Sequence, residues 1–303
     1  MRAPESPGPT PVSLSATPLP PNHRRAEAAL FGIVVLWGTS FTVVHWALED
    51  AKISPWLILA VRSTLAAALT LVWWPRSLRF AGCAHDWACG AWLGLLIGVG
   101  FVTQTIGLET TTPSRSAFIT SMTIIFVPIL QVTVQRHRPG RGPLLAIPVA
   151  LAGLCLLTGS HRGTLNAGDV WTLGCALAWS GYIIELQRLS PRADLGRLLL
   201  GQFILFGLVC WIVGFAAGEI NWSQSDRMWI GLVYLAVACT FIPIAVHNRC
   251  QRDTTPTRAA LIFVAEPLVA TFVSWALTVE TLEPSQWLGA ALVLLGLIIA
   301  ELL

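Results

Sequence analysis

What the chain has little of is charge. Only 12% of its 303 residues are Asp, Glu, Lys or Arg, about half the share of a soluble domain. Nineteen basic and 16 acidic side chains are too few to cover a globular surface of this length, so a soluble enzyme or adaptor is excluded. Lysine is all but missing, with Lys52 standing against 18 arginines, and the net charge of +3 is too mild to call for nucleic acid. The seven cysteines have neither disulfide-framework nor metal-ligand spacing, and five of them (Cys89, Cys155, Cys175, Cys210, Cys239) lie inside apolar stretches as small filler. No His-Glu-x-x-His, Gly-x-Ser-x-Gly, P-loop or dinucleotide fingerprint occurs, and no loop is long enough for a catalytic or ATP-binding domain. The chain therefore reads as a non-enzyme with no cofactor and no metal.

What is present is apolar. Ala, Val, Ile, Leu, Met, Phe, Trp, Tyr and Cys make up 54% of the residues, which points to an all-α integral membrane protein. Residues 1–25 hold seven prolines and no apolar run, and so read as a disordered cytoplasmic tail rather than a signal peptide. Beyond it lie ten apolar segments, near 28–47, 56–74, 88–108, 116–135, 143–159, 168–187, 197–216, 228–247, 259–278 and 286–303. A bilayer core of roughly 30 Å takes about 20 helical residues, which each segment approaches. The runs are continuous rather than alternating, so they are helices and not barrel strands.

Arginine placement tests the count. With ten crossings and the N-terminus cytoplasmic, 14 basic residues fall inside (Arg2, Arg24, Arg25, Arg76, Arg79, Arg136, Arg138, Arg141, Arg188, Arg192, Arg197, Arg249, Arg252, Arg258). Four fall outside (Lys52, Arg115, Arg162, Arg227), and Arg62 is left within the second span. That asymmetry obeys the positive-inside rule and places both termini in the cytoplasm of a multi-pass inner-membrane protein.

The chain also repeats itself. Thr111-Thr112-Pro113-Ser114-Arg115 recurs as Thr254-Thr255-Pro256-Thr257-Arg258, an offset of 143, and Val149–Leu154 resembles Leu292–Leu297 at the same offset. Trp37 and Trp179 match at 142. Two five-helix repeats, 26–160 and 161–303, follow, and an odd number of spans makes them inverted. Pro113 and Pro128 are spaced more widely than Pro256 and Pro267, so the fourth span is expected to carry an extra turn.

These motifs resemble the drug/metabolite transporter superfamily, in its EamA-like branch, from about Ala28 to Leu303. The resemblance rests on Leu36-Trp37-Gly38-Thr39-Ser40-Phe41, on Arg62 before an Ala-rich run, and on Gly107-Leu108 followed by the first Thr-Thr-Pro. Glu266-Pro267 and Trp287-Leu288-Gly289-Ala290-Ala291 complete it. The chain departs from the family's Gly-Glu-Arg after the fourth span, reading Gln135-Arg136-His137-Arg138-Pro139, and keeps a comparable glutamate only at Glu280. The resemblance implies a secondary transporter moving a small metabolite by alternating access, as an exporter, with a central cavity. Few charges among the cavity candidates suit a neutral or zwitterionic, amino-acid or drug-like solute. An integral membrane enzyme acting on lipid, or a receptor or assembly subunit, is the alternative.

Polar residues within the spans name the candidates. Trp37, Ser40, Gln104, Thr123, Trp179, Tyr182, Asn248 and Glu266 are assigned to the cavity. A charge at mid-membrane costs about 2.5–3.5 kcal/mol on insertion scales, so Glu266 and Arg62 are candidates for proton coupling, for solute binding or for a mutual ion pair. Pro128 and Pro267 are candidate gating hinges. Glu185 and Arg188 are spaced for an i,i+3 pair, His45 and His247 for interfacial hydrogen bonds, and Gly90, Gly94 and Gly98 for close helix packing.

Overall fold

The computed structural model describes residues 22–78, 84–136, 141–157, 165–222, 224–277, 279, 281 and 283–302. The tail up to Pro21, together with Arg79, His137–Pro139, Arg162 and Glu280, lies outside the described residues. Among the described residues thirteen α-helices follow one another: α1 (His23–Glu49), α2 (Pro55–Trp73), α3 (Ala84–Gly107), α4 (Pro113–Thr120), α5 (Thr123–Thr133), α6 (Arg141–Leu157), α7 (Ala167–Leu189), α8 (Leu195–Ala216), α9 (Asp226–Ala236), α10 (Ile242–Cys250), α11 (Pro256–Phe263), α12 (Glu266–Ala276) and α13 (Pro284–Leu302). They join into ten rods. α4 runs into α5 across Ser121–Met122, and α11 into α12 across Val264–Ala265. α9 runs into α10 through the π-helical turn Val237–Phe241.

By length and apolarity, seven rods among the described residues suffice to cross a membrane, and Leu145–Leu156 of α6 forms a shorter apolar helix. α7 is long but carries Asp169, Thr172, Ser180, Tyr182 and Glu185, because it runs through the polar centre. Large apolar side chains such as Phe31, Leu95, Leu177, Ile212 and Phe272 stand on the outer surface, where only lipid makes them inexpensive.

One boundary differs from the composition-based reading. Residues 23–25 belong by composition to the tail, yet they form the first turn of α1. Arginines outside the lipid do not disfavour a helix, and Glu27 in the next turn ties it to Arg258 at 3.1 Å.

The packing obeys the repeat. α1 packs on α12 as α7 packs on α5, and α1 packs on α10 as α7 packs on α3. α2 lies against α8, and α6 against α13, each pair self-equivalent. In the last pair a Cβ on Gly153 would come within 2.6 Å of the Val293 nitrogen, and one on Gly296 within 3.0 Å of Ala150. α3 meets α8 along the expected ridge, where a Cβ on Gly94 would sit 2.8 Å from Gln202 Cα.

Two ion pairs lie at opposite ends of the bundle, since successive rods alternate in direction. Arg115 Nη2 reaches Asp169 Oδ2 at 2.6 Å, and Thr111 Oγ1 donates to the same carboxylate at 3.0 Å. At the other end Thr254 Oγ1 donates to Glu27 at 3.1 Å beside Arg258. Thr112 and Thr255 cap the two helices that follow, accepting from the Arg115 and Arg258 backbone N–H groups. Every member of one cluster has its counterpart in the other at an offset of 142 or 143.

Candidate functional site

The two helix breaks meet α1, α3 and α7 at a small central cavity. Its walls are Trp37 and Ser40 of α1, Phe101 and Gln104 of α3, Thr120, Ser121 and Thr123 at the first break, Trp179 and Ile183 of α7, and Phe263 and Glu266 at the second. The space open to a water's centre is about 20 Å³, enough for one or two waters.

The second break has a backbone cause. Pro267 has no N–H for the carbonyl of Phe263, and the chain tightens into i→i+3 bonds, Val264 N to Leu261 O and Ala265 N to Ile262 O, both at 3.1 Å. In the other half Met122 N bonds Ile119 O and Ile124 N bonds Ser121 O, each at 3.0 Å, without a proline at the corresponding place. The two breaks stand at the repeat offset of 143, so the fourth span carries no extra turn, contrary to the proline spacing. Pro128 lies inside α5, past the break, while Pro267 lies at the start of α12. The two prolines are not structural equivalents.

Six of the eight cavity candidates converge: Trp37, Ser40, Gln104, Thr123, Trp179 and Glu266. The indole rings of Trp37 and Trp179 meet edge to face at 5.3 Å. Gln104 Nε2 donates to Thr120 Oγ1 at 3.2 Å, and Ser40 Oγ donates to its own helix at Trp37 O. Two groups are left over. Trp37 Nε1 is buried without a hydrogen-bond partner among the described residues. The Glu266 carboxylate, 8% exposed, makes no hydrogen bond or ion pair among the described residues.

Tyr182 and Asn248 do not line the cavity. With Gln202 they close a buried triangle: Tyr182 Oη donates to Gln202 Oε1 at 2.9 Å, Gln202 Nε2 to Asn248 Oδ1 at 2.8 Å, and Asn248 Nδ2 to Tyr182 Oη at 2.7 Å. The ion pair between Arg62 and Glu266 is not formed. Arg62 bonds Thr240 and lies over the Phe101 ring instead. His247 lies inside the bundle. It is fully buried, bonded to Gln251 at 2.8 Å and packed on Trp37 and Phe263. Glu185 pairs with Arg188 at 2.6 Å as its spacing predicts.

Sequence reasoning missed Phe101, Ile183 and Phe263, which are apolar and carry no polar signature. It also missed Glu27 and Asp169. The repeat offset contained the signal for most of these: Phe263 is Thr120 plus 143, and Asp169 is Glu27 plus 142. Near the Arg115 end a recess of about 470 Å³ gathers Glu49, Glu109 and Glu219. Burial, with Glu219 and Glu49 nearby, holds the Glu109 carboxyl above the usual carboxylate range.

A multi-pass helical bundle of two inverted halves around a small central cavity defines the class of protein as a membrane transporter, working in the lipid bilayer on a small-molecule substrate. The EamA-like transporter family matches twice, over residues 24–159 and 166–302. The chain belongs to that family. An uncharacterised transporter of Archaeoglobus fulgidus is 28% identical over 278 residues, covering 91% of this chain and 86% of that protein. The uncharacterised transporter YwfM of Bacillus subtilis is 27% identical, covering 87% and 89%. The uncharacterised inner membrane transporter YedA of Escherichia coli K12 is 22% identical, covering 90% of each. A solved crystal structure shares the fold with a TM-score of 0.73 at 16% identity, covering 92% of this chain and 98% of that one.

Proposed function

We propose that the chain is a secondary carrier that exports a small neutral or zwitterionic metabolite, amino-acid-like or drug-like, by alternating access. One observation carries this reading. An unpaired carboxylate, Glu266, and an unpartnered indole N–H, Trp37 Nε1, face a cavity formed where the two inverted halves meet. A buried charge without a partner is costly, and a solute with a donor group would satisfy it. Protonation of the same carboxylate in the empty carrier is the natural route for proton coupling.

The halves 26–160 and 161–303 act as the two moving units, with both termini cytoplasmic. The Arg258–Glu27 pair then closes the cytoplasmic side and the Arg115–Asp169 pair the far side. The breaks at 121–122 and 264–265, each followed by Pro128 or Pro267, serve as hinges.

Efflux and uptake of a solute panel in proteoliposomes, with and without a pH gradient, test the reading. Transport of at least one amine-bearing or neutral solute is expected, driven by the gradient in the wild type and uncoupled from it in Glu266→Gln. No transport of any solute, or an identical pH profile in Glu266→Gln, overturns it.

A further inference from the structure

Arg62 is a charge that the carrier scheme leaves unused. It lies in the middle of α2 and is 2% exposed. Its Nε donates to Thr240 Oγ1 at 2.9 Å. That hydroxyl in turn donates to the Leu235 carbonyl five residues back, at 2.8 Å, a register set by the π-helical turn. Arg62 Nη2 is buried with no hydrogen-bond partner among the described residues. None of the ion pairs among the described residues includes Arg62.

What stands in for an anion is the Phe101 ring, whose centroid is 4.6 Å from Arg62 Cζ. One ring face and one hydroxyl are weak compensation for a guanidinium with five N–H donors. The same ring lines the central cavity and meets Trp179 edge-on at 5.5 Å. The Phe101 ring therefore touches both a weakly compensated cation and the cavity.

We propose that Arg62 is a latent anion subsite of the cavity, opened when Phe101 turns aside, and that it selects solutes bearing a carboxylate on an apolar or aromatic body. The guanidinium fork matches a carboxylate bidentately. The aromatic walls suit the body, and Glu266 receives a cationic or donor group at the other side of the cavity. A monoanion fits a lone arginine better than a phosphate dianion, and chloride makes no use of the fork. This inference rests on the cavity being the solute site.

The test is binding to the purified full-length chain in detergent, read by intrinsic tryptophan fluorescence, because Trp37 and Trp179 flank the site. Benzoate is the probe, with benzamide and chloride as controls. Benzoate is expected to give a saturable change that benzamide and chloride do not. Arg62→Gln should weaken benzoate about tenfold or more, since a charged hydrogen-bond pair is lost. Arg62→Lys should lie between, and Phe101→Leu should tighten benzoate by removing the barrier. If Arg62→Gln fails to fold, Arg62→Lys and Phe101→Leu decide. Benzoate binding no better than benzamide or chloride, or unaltered by these substitutions, overturns the proposal. Binding in detergent needs no transport, so the two readings fail separately. Benzoate bound through Arg62 without any solute transport sinks the carrier, whereas transport without an Arg62-dependent carboxylate preference sinks the subsite.

Discussion

At Ser121–Met122 and at Val264–Ala265 the chain interrupts a membrane rod in the same way, at equivalent places in the two halves. Yet the first break delivers Thr123 to the cavity and the second delivers Glu266. Around them Thr120 faces Phe263 across the pseudo-symmetry, and Gln104 corresponds to His247. Where the halves pack on each other, equivalent positions match: Gly153 with Gly296, Arg115 with Arg258, Asp169 with Glu27. Contacts between halves are limited by backbone approach and by charge pairing, which constrain both copies alike. Around the cavity the copies have diverged. Structure is shared between the halves, whereas the carboxylate lining the cavity, Glu266, belongs to one.

Moving the carboxylate tests this contrast most severely. Glu266→Gln is expected to lower gradient-driven proteoliposome transport by about two orders of magnitude, as for a lost charged hydrogen bond to solute, whereas Thr123→Val should cost a few-fold at most. The swap Thr123→Glu with Glu266→Thr should recover part of the activity. No recovery would mean the positions are equivalent in backbone only.

The ion pairs come next. Removing one partner of a buried pair typically costs about 3–5 kcal/mol. Asp169 is the more enclosed acid, its side chain 1% exposed against 10% for Glu27. Thermal melts of the detergent-solubilised protein should therefore fall further for Arg115→Ala than for Arg258→Ala. With Ser40→Cys as reporter in a cysteine-free background, impermeant maleimide should gain access from the Arg115 side in the first variant and from the Arg258 side in the second. Labelling from the same side in both would refute the gate assignment.

Smaller effects are expected at the glycines. Overpacking costs about 1–3 kcal/mol. Gly153→Ala should lower the melting temperature more than Gly296→Ala, because its Cβ would approach backbone at 2.6 Å rather than 3.0 Å. The smallest change is expected for Pro128→Ala, which lies within α5 away from the break. Pro267→Ala restores the missing donor at the break and should slow transport without lowering the melting temperature. Equal effects of the two prolines would contradict the inequivalence seen in their placement.

Much of the fold was legible in the sequence. The ten segments, the offset of 143 and the Gly90–Gly94–Gly98 ridge were all readable, because lipid permits few backbone solutions and a repeat writes its contacts twice. Four of the candidates that line the cavity, Ser40, Gln104, Thr123 and Glu266, were legible as polar groups in apolar helices. Tyr182 and Asn248 were misplaced for the same reason: polarity within a span marks a residue as satisfied by something, without saying whether that is solute or a neighbour such as Gln202. Phe101 and Phe263 were silent, since an aromatic in a membrane span looks like lipid contact.

That the chain spans a membrane many times, as two inverted halves, follows from its residues alone, because charge scarcity, span length and an odd-numbered repeat leave no other arrangement. Which charges stay alone was settled by packing. Arg62 and Glu266 look like natural partners from their rarity, but helix rotation sets Phe101 beside one and the central cavity beside the other. Pairing in a bundle depends on angles about helix axes that residues distant in sequence impose, and no local pattern records them.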